Sequence, residues 1–170
     1  MSTIHPNAVI GEGTIIREGT IICANVVIGK NCVIGNNCLI RENVILKDNV
    51  RIGFTNVIER NAIIGENTST QCFCSICENS VIGKNVFIGP NFTNPADNSI
   101  GSSILNPNEK YEANPAIIED NCRIGASVTI IPGIRIRKGT MIGAGSLMTK
   151  DTEPDTLYYG SPAMKIRGVK

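Results

Sequence analysis

Histidine occurs once in these 170 residues, at His5, and that removes most zinc and imidazole chemistry from consideration. A three-histidine zinc site cannot be assembled. The thiols that could replace it, Cys72, Cys74 and Cys77, supply one CxxC pair with no second pair and no nearby histidine, which leaves zinc short of a fourth ligand. No metal is expected. Seven cysteines, an odd and scattered set behind a start, MSTIHPN, that lacks the charged and apolar parts of a secretory signal, predict reduced thiols and a cytoplasmic protein. The net charge of +1 gives no global basic field for nucleic acid, and no apolar run approaches the roughly 18 residues of a membrane span. Charge is nonetheless divided: residues 1–134 hold 9 Lys+Arg against 12 Asp+Glu, whereas 135–170 hold 7 against 3. A polyanion would dock at the C-terminal end, where Arg135, Arg137, Lys138, Lys150, Lys165, Arg167 and Lys170 supply the excess. The same residues also read as a solvated basic tail.

The elements that position these groups follow from a period of six. Aliphatic residues recur at Ile4, Ile10, Ile16, Ile22, Ile28, Ile34, Ile40, Leu46, Ile52, Ile58 and Ile64, at Ile76, Ile82 and Ile88, and again from Ile118 to Ile142. A helix would repeat at 3.6 and a half-buried strand at 2, so a strict six means short straight segments separated by equal corners. Three segments close a triangular coil of 18 residues, and the fold class is all-β. Three residues after each aliphatic position stands Asn or Gly in 17 of 20 hexads, the residues that tolerate a left-handed backbone at a tight corner. Seven coils are expected, starting at residues 4, 22, 40, 58, 76, 118 and 136, in a prism about 34 Å tall.

The stretch 89–117, rich in Asn, Pro and Ser, reads as one long external loop, and long loops in compact repeats are usually functional. The corner rule fails at Thr55, Phe73 and Ser127. Phe54, Phe73 and Phe92 fall at a single corner beneath the loop, which predicts either a substrate site or an aromatic subunit contact. Arg51, Arg60 and Lys84 are outward basic residues in the same coils, able to meet a diphosphate.

Taken over nearly the whole chain, this pattern resembles the hexapeptide-repeat proteins with a left-handed parallel β-helix. The resemblance implies about seven triangular coils over 1–148, a C-terminal tail over 149–170 that completes an acyl-CoA site, and a homotrimer. The run IGASVTIIPGIRI followed by IGAGSLMTKDTEPDTLYYGSPAMKI is similar to the acyl-CoA-binding coils of hexapeptide acyltransferases. By that resemblance Ala126 and Ala144 make room for the pantetheine arm of acetyl-CoA, and Lys150, Lys165 and Arg167, around the turn holding Pro162, meet its phosphates. The segment IGPNFTNPADN is similar to one in acyltransferases that N-acetylate amino sugars carried on nucleotides, especially 3-amino sugars. There the Asn of the FTN tripeptide, here Asn94, lies at the reacting centre. The segment NPADNS departs from the Pro-Arg pair common in that subgroup.

The expected activity is therefore acetyl-CoA-dependent N-acetylation of a nucleotide-linked amino sugar in the biosynthesis of a cell-surface polysaccharide. An amine acceptor suits a chain without a loop histidine, because a neutral amine is already a competent nucleophile where a hydroxyl is not. Asn94 would orient the reactants, Asp97 is the next candidate for accepting a proton, and Glu78 follows it. Phe54, Phe73, Arg60 and Phe92 are the expected substrate contacts. A sugar O-acetyltransferase and a non-catalytic β-helix scaffold remain the alternatives.

Overall fold

The computed structural model describes residues 1–98, 108 and 111–169 of the chain. The chain winds as a parallel β-solenoid in which every strand before the C-terminal hairpin is two residues long. Three sheets result. Face A begins at Thr3–Ile4 and has eight strands, face B begins at Val9–Ile10 and has seven, and face C begins at Ile15–Ile16 and has nine. Within each strand the second residue points inward, so Ile22, Ile40, Ile58 and Ile76 stack as one buried row on face A. Each residue pairs with the one 18 positions on, as Ile58 does with Ile76. The expected all-β prism is thus present, with seven complete turns and an eighth that is capped.

The corners work as their composition requires. Asn25, Asn43, Asn61 and Asn79 hold φ between 58° and 61°, and Thr55, Phe73 and Ser127 adopt the same angle without an Asn or Gly side chain to favour it. On the edge between faces A and B the amides also bond to one another: Asn25 to Asn43 at 3.1 Å, Asn43 to Asn61 at 3.0 Å and Asn61 to Asn79 at 3.0 Å. One side-chain type thereby supplies both the backbone angle and a ladder between coils.

The loop leaves later than the sequence pattern suggests. Thr93–Asn94 still forms a face A strand, paired on Ser75–Ile76, and the chain rejoins the prism at Ile117–Ile118 on face B. The excursion therefore spans 95–116, not 89–117, and lies on the A–B edge. Ile118 belongs to the second strand of the sixth coil, so it does not start a coil. The hexad phase conceals this, because Asn94 and Ile118 are 24 residues apart, a multiple of six. Residues beyond 149 fold as more than a tail: Thr156–Gly160 and Ala163–Gly168 form an antiparallel hairpin that adds two strands to face C.

Thr70 interrupts the inner row of face C between Ile52 and Ile88, and its hydroxyl is buried with no hydrogen-bond partner among the described residues. Thr70→Val keeps the shape and removes the orphaned group. A gain of about 1–2 kcal/mol is expected in urea unfolding, and an unchanged midpoint would mean that the hydroxyl finds a partner in solution.

Candidate active site

The edge between faces C and A gathers much of what the sequence singled out. Its corners run upward through Phe54, Cys72, Pro90, Ala126 and Ala144, each one coil above the last, tied by main-chain bonds such as Ser127 N–H to Pro90 O at 2.7 Å and Gly145 N–H to Ala126 O at 2.8 Å. In its lower part Phe54 and Phe73 meet edge to face, with ring centroids 5.3 Å apart and planes at 81°, and both rings are about half exposed. Higher up stand Ala126, half-buried, and Ala144, exposed, whose side chains are no more than methyl groups. The column beside them is mostly glycine for a physical reason. A Cβ on Gly125 would lie 2.6 Å from the Ala144 nitrogen, and one on Gly89 would lie 2.7 Å from that of Ala126.

Above these corners the hairpin turn closes the end of the prism. Gly160 N–H donates to Ser146 Oγ at 3.1 Å, and Ser146 Oγ donates to Gly143 O at 2.7 Å, which fixes the turn over the seventh coil. A cavity of about 240 Å³ lies under this turn, lined among others by Met148, Lys150, Tyr158, Pro162, Met164 and Lys165. Lys165 is ion-paired with Glu153, which raises its ammonium above the usual lysine value. Lys150 has no ion pair among the described residues. Arg167 stands outside this cavity and donates to Gly168 O at 3.1 Å.

The basic C-terminal end is not one surface. Arg135 and Arg137 both reach Glu119, at 3.2 and 3.3 Å, and Lys138 N–H donates to the same carboxylate at 2.9 Å. Burial alone would raise the Glu119 carboxyl, but these donors hold it below the ordinary glutamate value. These residues sit on face B and its far corner, away from the C–A edge. Lys170 lies outside the described residues.

The residues expected at the reacting centre divide between two edges and the interior. Asn94 is fully buried, facing inward in the row between Ile76 and the coil above. Its Oδ1 accepts from Cys77 N–H at 3.2 Å and its Nδ2 donates to Ser80 Oγ at 2.8 Å, so its amide braces the prism where the loop departs. Phe92 is also a core residue, 1% exposed, because the last corner position points inward. That position cannot offer a ring to an external substrate. Arg60 lies on the A–B edge and pairs with Glu42 at 3.1 Å, a face away from Phe54 and Phe73.

Arg60 instead belongs to a cavity of about 360 Å³ at the loop base, with Glu59, Ser75, Cys77, Glu78 and Tyr111. Tyr111 is the contact that sequence periodicity had no means of finding, since it lies on the excursion. Burial, a hydrogen bond to Glu78 and the charges of Glu78 and Asp97 push its phenol well above the ordinary tyrosine value, so it keeps its proton and donates. Asp97 is thereby placed on this edge as well. The CxxC thiols do not gather: Cys74 points into the core, where burial pushes it to about 11, while Cys72 and Cys77 occupy opposite edges of face A.

Comparison with known proteins agrees with the β-solenoid fold. The family profile described as the GMPPB C-terminal domain matches residues 2–98, more than half the chain, and that described as the hexapeptide repeat of succinyl-transferase matches residues 115–150. A crystal structure of a maltose O-acetyltransferase from Clostridium difficile 630 superposes with a TM-score of 0.58 and 31% identity, covering 71% of this chain and 67% of that one. The chain belongs to the hexapeptide-repeat acetyltransferase family. A galactoside O-acetyltransferase of Lactococcus lactis is 37% identical over 82 residues, 48% of this chain and 39% of that protein. A 2,3,4,5-tetrahydropyridine-2,6-dicarboxylate N-acetyltransferase of Staphylococcus aureus is 41% identical over 59 residues, 35% of this chain and 25% of that protein. These matches span less than two fifths of the length of either curated relative. Among the described residues no helix is long and apolar enough to cross a membrane.

Proposed function

We propose that the chain transfers an acetyl group from acetyl-CoA to the amino group of a nucleotide-linked sugar. The observation that carries the donor half is the C–A edge: two alanine corners stacked one coil apart beneath a fixed turn, under which a cavity lined by Lys150 and Pro162 closes the end of the prism. A pantetheine arm laid along Ala126 and Ala144 brings its phosphates to Lys150 and the Pro162 turn, and its thioester downward towards Phe54 and Phe73. Those two rings then offer an apolar face to the acceptor.

For an amine acceptor the chemistry is direct. The nitrogen lone pair attacks the thioester carbonyl, the C–N bond forms, the C–S bond breaks, and the proton lost from nitrogen ends on a carboxylate or on the departing thiolate. Asp97 and Glu78, on the loop-base edge, are the proton acceptors in this reading, and Asn94 holds that base in place from the interior. Within one prism the two edges flank face A, so a site using both needs a neighbouring copy. Face B supports self-association, the expected homotrimer, with an outward row of Val9, Val27, Ile45, Ile63, Val81 and Ile117.

A sugar hydroxyl is the second reading, favoured by the galactoside and maltose O-acetyltransferases among the relatives. Both readings share the donor, so mass spectrometry of acetyl transfer to amino sugars and to their hydroxyl counterparts separates them. Mass gain on the amine alone supports the first; gain on the hydroxyl sugar alone replaces it. His5 hydrogen-bonds Asn7 on the first coil, five coils and roughly 24 Å from the loop base. His5→Ala is therefore expected to leave kcat/KM within about twofold, and a large loss would move the site.

A further inference from the structure

Tyr159 is an aromatic ring held rigid and left open. It ends the glycine column of the C–A edge, in register above Gly143, and its ring folds back onto that glycine so closely that a Cβ there would overlap it. One side of the ring is thus seated on backbone, while 57% of the residue remains accessible. The hairpin fixes it from behind: Tyr159 pairs with Met164, and the next residue, Gly160, is anchored to Ser146. Met164 and Ile166 add exposed apolar surface on the neighbouring strand, and Lys150 stands at the adjoining cavity. Exposed apolar surface on a fixed ring, paired through Met164 with a cavity that holds a lysine without an ion pair among the described residues, is the chemistry that receives a nucleobase joined to phosphate.

We infer that Tyr159 is the stacking platform for the adenine of the acyl donor, with Lys150 meeting the adjoining phosphates. This rests on the acetyl-CoA reading above. The ring is next to Ala144, so an arm running along the two alanine corners delivers its nucleotide end to this position and no other aromatic side chain. Tyr158, one residue earlier, is buried with its hydroxyl accepting from Glu153 N–H at 3.0 Å, and it offers no face.

The test is calorimetric titration of acetyl-CoA and of acetyl-pantetheine, which lacks the adenosine, into the unaltered protein, Tyr159→Phe and Tyr159→Ala. Tyr159→Phe keeps the ring and should bind acetyl-CoA within about twofold, whereas Tyr159→Ala should bind it about tenfold or more weakly, with acetyl-pantetheine affinity unchanged. The chain has no Trp and three Tyr, so adenine stacking should also alter tyrosine emission on titration, a change that Tyr159→Phe should abolish without loss of affinity. Thermal unfolding of each variant separates a folding defect from a binding one. No saturable binding of acetyl-CoA by the unaltered protein overturns the donor reading and this inference with it. Binding unaffected by Tyr159→Ala, or weakened equally for both ligands, overturns the stacking role alone.

Discussion

Asn94→Ala is expected to lower the unfolding temperature by roughly 4–24 °C and turnover by more than tenfold, while acetyl-CoA affinity stays within about threefold. The reason is position. Asn94 is fully buried and satisfies Cys77 N–H and Ser80 Oγ at once, so truncation leaves both without their partner and opens a void beneath the loop. An unsatisfied buried group costs about 1–3 kcal/mol, and for a chain of this length each kcal/mol moves the midpoint by about 2–4 °C. Cys77 lines the loop-base cavity beside Glu78 and Tyr111, so its displacement carries the fault to the candidate proton acceptors. Differential scanning calorimetry with steady-state kinetics measures both effects. Turnover lost at an unchanged midpoint would mean instead that the amide reaches the reactants.

Gly125→Ala should be the most damaging single methyl group on the C–A edge that carries the two alanine corners. The added carbon would lie 2.6 Å from the Ala144 nitrogen and 2.8 Å from its Cα. Both atoms belong to the backbone of the next coil, so no rotamer change relieves the contact and the coils themselves must part. Overpacking against side chains costs about 1–3 kcal/mol and more where nothing can yield, so a loss of about 3 kcal/mol or more is expected in urea unfolding. The same displacement moves Ala126 relative to Ala144 and should weaken acetyl-CoA binding by at least tenfold in titration. Gly145, on the same edge, provides the contrast. A Cβ there meets nothing within 4 Å, but φ is +69°, so Gly145→Ala should cost only about 1–2 kcal/mol and Gly145→Asn less. Equal effects at Gly125 and Gly145 would show that corner conformation, not coil spacing, limits this edge.

The sequence by itself determined the prism. A two-residue strand and a four-residue corner are local choices, written in every hexad, so inner rows such as Ile22 to Ile76 and the asparagine corners could be read without any long-range information. The stacked corners of the proposed donor edge were legible for the same reason, since Ala126 and Ala144 are 18 residues apart and must stack. Inward or outward direction was less secure at irregular positions: Phe92 and Asn94 are polar or bulky exceptions that the hexad turns inward all the same, because the phase of the repeat overrides the residue type.

Only the tertiary structure decided the rest. An excursion that preserves the period of six leaves no trace in the phase, so its departure after Asn94 and its place on the A–B edge could not be read from spacing. Arg60 and Tyr111 share a cavity although they are about fifty residues apart and outside any common repeat, and Tyr159 meets Gly143 only because the hairpin folds its ring back. Periodicity fixes which residues stack along an edge. Contacts between an edge and a segment that has left the repeat depend on where that segment returns, and no local rule encodes this.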